Sequence, residues 1–78
     1  MNYLVLMITD KNDTEPKNFL NRLFAQANGR LSIDFLKQKM LERFSYFPFR
    51  SISKDELEKN KLMQSLPRYQ IQNDFILQ

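Results

Sequence analysis

Tyr3-Leu4-Val5-Leu6-Met7-Ile8 decides the fold. Six apolar residues stand in a row, bounded by Asn2 and by the polar run Thr9-Asp10-Lys11-Asn12-Asp13. The run is too short for an ordinary helix and holds neither Gly nor Pro. A short apolar run closed by turn formers reads as a strand buried on both faces. The strand is expected over about residues 2–9, and the remainder of the chain reads as its cover.

Downstream, Thr9 to Glu15 is a polar connection. Asp13 or Thr14 is placed to cap a helix whose first turn holds Pro16. Asp13 and Glu15 lie near the positive end of that helix dipole. Phe19, Leu20, Leu23, Phe24 and Ala27 share one helical face, and Asn28-Gly29 is a stop, with Gly29 suited to the left-handed position beyond the helix end. A second helix starts at Ser32, with Leu31 and Leu36 at the two positions of a hydrophobic staple. Its expected inward face is Ile33, Leu36, Met40, Leu41 and Phe44. Phe35 falls nearly opposite, in a stripe with Lys39 and Arg43.

Residues 46–53 read as a second strand. Pro48 cannot donate a ladder hydrogen bond, which makes this an edge strand or a partly irregular one. Ser53 and Glu56 have capping-box spacing for a third helix. Leu57 lies opposite Leu62 and Leu66 on that helix, so it is short, breaks near Asn60, or touches neighbours on two sides. Pro67 ends it. Tyr69, Ile71, Phe75 and Leu77 alternate with polar residues and predict a last strand over about 68–77. Asn73 is then a bulge, with an Asn73-Asp74 turn as the alternative. The expectation is a single α+β domain over residues 1–78, in the order β-α-α-β-α-β. Its sheet would have three strands, with the N-terminal strand central and helices covering it.

At 78 residues the chain supports one domain, and it has no Cys or His. A domain of this size buries only about 60–65% of its unfolded surface. Seven Phe and three Tyr must supply much of the core. Thiol nucleophiles, His-based triads and Cys/His zinc sites are excluded. The one Gly excludes a glycine-rich phosphate loop. Asp10, Asn12, Asp13 and Glu15 superficially suggest a hard-cation site. An EF-hand places Gly sixth and Glu twelfth, where this chain has Glu15 and Asn21, so turn and cap duty fits better. No catalytic residue, metal site or cofactor is expected, and the chain reads as a non-enzyme. No apolar run is long enough to span a membrane, the first residues do not form a signal peptide, and a cytoplasmic location is the expectation.

Net charge is +3, but residues 17–54 alone carry +6, against −2 before and −1 after. A basic middle favours an acidic partner. Two readings of function follow. In the first, the chain is a small binding protein of regulator or inhibitor type, like compact chains among phage and mobile-element proteins. It would occupy an acidic face of a larger protein or protein–nucleic acid assembly. Phe35 is the anchor there, surrounded by Lys39, Arg43, Arg22 and Arg30. In the second, the two helices around Asn28-Gly29-Arg30-Leu31 act as a helix-turn-helix and bind nucleic acid directly. The aromatic-rich edge strand also leaves a homodimer open.

Overall fold

A computed structural model describes residues 1–8, residue 10 and residues 12–78. Its elements are β1 (Asn2–Leu6), α1 (Glu15–Gln26), β2 (Arg30–Ser32), α2 (Ile33–Phe44), β3 (Phe49–Ser53), α3 (Lys54–Lys59), α4 (Lys61–Gln64), β4 (Arg68–Gln72) and β5 (Phe75–Leu77). The expected strand limit at Thr9, and Lys11 in the polar connection, lie outside the described residues.

The strands form one antiparallel sheet in the order β2-β5-β4-β1-β3. This corrects the three-stranded expectation to five strands and four helices among the described residues. β1 is interior, between β3 and β4, but β4 is the middle strand. Two local features supply the extra strands. Asn73-Asp74 is a two-residue turn rather than a bulge, with Asn73 at φ 56°. Asn is among the few residues that adopt this left-handed conformation readily. The expected last strand is therefore a hairpin. In addition, Arg30-Leu31-Ser32 pairs with β5, so a strand stands between the first two helices. Gly29, at φ 84°, makes that exit, and its carbonyl accepts a hydrogen bond from the Gln78 N–H at 2.9 Å.

Alternation along β1 builds two cores. Leu4 and Leu6 join Leu20, Leu23 and Phe24 of α1, Leu36 and Met40 of α2, and Leu31, Phe49 and Ile76 of the sheet. Val5 points the other way, to Ile52, Leu57 of α3 and Met63 of α4. The two-faced burial read from the apolar run is thus realised. Phasing across the hairpin is not as expected. Ile76 is fully buried on the α1/α2 side, opposite Leu31 and Ile71, while Phe75 and Leu77 lie on the other face of the sheet.

α2 and α3 start on the side chains their spacing suggested. Ser32 Oγ accepts the Phe35 N–H at 3.3 Å, and Ser53 Oγ accepts the Glu56 N–H at 3.1 Å. Thr14 caps α1 without a side-chain bond to the backbone, and Pro16 sits in the first turn. Asn60 divides the third helical stretch, and its Oδ1 accepts the Met63 N–H at 3.2 Å. That break lets Leu57 and Met63 share one core while Leu62 stays 66% exposed. Leu41 departs from its expected inward place and is exposed. It stands about 100° round the helix from Met40, beyond the buried stripe.

Candidate interaction surface

α1 and α2 lie on the same face of the sheet, because both feed the core around Leu4 and Leu6. The first half of α1 meets the end of α2. Phe19 and Phe44 make an edge-on contact with ring centroids 5.7 Å apart, and Tyr46 extends the cluster at 6.2 Å from Phe44. Aromatic pairs prefer such edge-on arrangements. Two guanidinium groups cover this floor. Arg22 lies 5.8 Å from the Phe19 ring centroid and Arg43 5.3 Å from that of Phe44. Both arginines line one shallow groove with Glu15, Asn18 and Phe44. Two cations that the chain separates by about six helical turns' worth of sequence therefore meet at the outer surface.

Farther along α2, Phe35 is 41% exposed. Lys39 Nζ lies 5.5 Å from the Phe35 ring centroid. It is also 3.6 Å from Glu42 Oε2, while Gln38 Nε2 donates to Glu42 Oε1 at 3.3 Å. Exposed pairs of this kind contribute about 0–1 kcal/mol, so they orient Lys39 more than they fix it.

Four of the five residues singled out by sequence thus belong to α1 and α2. Arg22 and Arg43 come together, and Lys39 stands over Phe35. Arg30 does not join them. It is a β2 residue paired with Leu77, and its guanidinium stacks 3.8 Å from the Phe75 ring centroid on the opposite face of the sheet. The sequence places Phe19 and Phe44 on inward helical faces and Tyr46 in a strand, so the grouping of the three at the surface is not visible from their spacing.

The first-loop carboxylates serve the backbone. Asp10 Oδ1 accepts the Asn12 N–H at 2.9 Å, and Asp13 Oδ1 accepts the Glu15 N–H at 3.3 Å. Among the described residues, no group of three or more acidic side chains is arranged to hold a metal ion. None of their helices is long and apolar enough to cross a membrane. Burial pushes the Tyr69 phenol above its ordinary pKa. No protein-family model, curated protein or solved structure matches the chain.

Proposed function

We propose that this is a small non-enzymatic binding protein of regulator or inhibitor type, comparable in kind to phage and mobile-element chains. It occupies an acidic face of a larger cytoplasmic protein or protein–nucleic acid assembly through the outer surface of α1 and α2. Exposed Phe35 under Lys39 carries the reading. Interface energy concentrates in aromatic and Arg anchors near the centre of a contact, and Phe35, Arg43 and Arg22 are residues of those types. Lys39 and the rim charges steer the encounter. Arg30 is outside this surface.

β2 favours this reading over a helix-turn-helix. It stands between the two helices, and its pairing to β5 ties their connection into the sheet. A helix-turn-helix instead joins its helices by a short turn and frees the second for the major groove. Affinity purification from the native host, with and without nuclease, tests the proposal. A protein partner retained after nuclease, and lost with Phe35→Ala, is the expected result. A partner signal that disappears with nuclease returns the reading to direct nucleic-acid binding.

A further inference from the structure

The sheet has a second surface that the helices leave half open. α3 and α4 cover Val5 and Ile52, on β1 and β3. On that same face, strand register places Arg68, Gln70 and Gln72 of β4, Phe75 of β5 and Arg30 of β2, with Arg68 at the border of α4 and with Gln70, Gln72 and Arg30 exposed. Tyr3, paired with Gln70, is half-buried against the Val5 cluster and borders the open part. The chemistry of this face is one-sided. The five strands contain three arginines and no Asp or Glu. All three arginines project on this face, since Arg50 and Arg68 both pair with Val5, and Arg30 lies over Phe75. Arg50 is engaged by Glu56 of α3 at 2.8 Å. Arg68 donates to the Gln64 carbonyl at 3.1 Å and lines a groove with Tyr3, with Glu58 as the acidic group at its border. Arg30 has a ring beneath it and no salt bridge among the described residues.

We propose that this open half-sheet binds single-stranded nucleic acid. Tyr3 and Phe75 stand on strands to either side of β4, two strand spacings apart and offset by two residues, since Tyr3 pairs with Gln70 and Phe75 with Gln72. Gln70 and Gln72 lie on the strand between them. Unpaired bases stack on aromatic rings and on guanidinium planes, and amide side chains hydrogen-bond to their exposed edges. The Arg30 guanidinium, lying over the Phe75 ring, offers a plane for a base, and Arg68 supplies a cation for the backbone. A duplex offers no free base faces to this flat surface. An acidic peptide would use the arginines but leave the stacking plane and the two amides without a partner.

Fluorescence anisotropy with labelled twelve-nucleotide oligo(dT) and oligo(U), against a duplex of the same length, tests the assignment with the purified full chain. Single strands should bind and the duplex should bind at least tenfold more weakly. Affinity for the single strands should fall as salt rises. Arg30→Lys keeps the charge but loses the stacking plane, and should weaken binding several-fold. The exposed pair Gln70→Glu with Gln72→Glu should abolish binding without moving the melting temperature, so that the loss is not a folding defect. Lys37→Ala, an exposed cation of α2 on the other side of the sheet, should leave it unchanged, and a loss of binding equal to that of Arg30→Lys would overturn the assignment. Absence of single-strand binding at low salt overturns the proposal. Equal affinity for duplex, or binding indifferent to Arg30→Lys and to the double Gln variant, overturns it equally. None of these outcomes bears on the α1/α2 surface, whose test reads a protein partner.

Discussion

Phe35 and Leu6 are apolar side chains in opposite surroundings, one exposed and one fully buried. Leu6 is fully buried between α1 and the sheet. A carboxylate there has no partner to offset its desolvation, so Leu6→Asp should cost more than about 4 kcal/mol and abolish the cooperative melt. Phe35 is partly in water, and Phe35→Ala should change stability by less than about 1 kcal/mol while costing on the order of 2 kcal/mol in partner binding. Thermal melting beside a pull-down reads both. A large fall in melting temperature would make Phe35 a core residue and remove it as an anchor. Tyr69 adds a pH signature. Its folded-state pKa lies above the ordinary 10.0 because burial disfavours the phenolate. The unfolded chain therefore releases this proton first as pH rises. The contribution of Tyr69 is fully present below about pH 10 and is lost as pH climbs through the raised folded value. In a spectrophotometric titration, the phenolate transition that Tyr69→Phe removes should lie above pH 10.

At the level of elements, the turns are more decisive than the strands they join. Asn73 holds φ 56° in the β4–β5 turn. Asn73→Val places a β-branched residue in that conformation and should destabilise by about 1–3 kcal/mol, whereas Asn73→Gly should be close to neutral. Equal melts for the two would show that the turn is not under this constraint. Ser53→Ala removes the oxygen that accepts the Glu56 N–H and should cost about 1 kcal/mol at the start of α3. The helices were legible because their signals are local: Ser32 and Ser53 as caps, Asn60 as a break, Leu36 and Met40 at helical spacing. β1 was legible because six apolar residues have no other economical use. β2 was not, since Arg30-Leu31-Ser32 is too short to show alternation and becomes a strand only when β5 lies beside it. The hairpin was misread for a related reason. Phe75 and Leu77 continue the alternation of Tyr69 and Ile71 on paper, but the turn reverses the chain and gives the buried place to Ile76. The same limit fell on the candidate surface. Arg22 and Arg43 meet through packing, and Arg30 leaves their company because of a pairing that no local pattern announces.

For the molecule as a whole, the sheet ends in β2 on one side and β3 on the other. β3 is the longer edge, and Arg50 within it is a charge of the kind that discourages pairing between copies. Sedimentation at high micromolar concentration should show a monomer, and a dimer there would mean that this edge is used. Nearly all the ladders join distant parts of the chain. Tyr3 pairs with Ile52 and with Gln70, and Arg30 pairs with Leu77. Only β4 and β5 are neighbours in sequence. During synthesis, β1 therefore leaves the ribosome long before its second partner exists, and β2 waits for the last strand of all. The growing chain must carry an apolar six-residue segment with one side of its ladder unfilled until residues 68–77 appear. Loop closure of this kind slows folding and lengthens the interval in which such a segment is exposed to other chains. The clustering of Asp10, Asp13 and Glu15 just after that segment then has a use in the nascent chain, where like charges hold neighbouring copies apart until the C-terminal hairpin arrives.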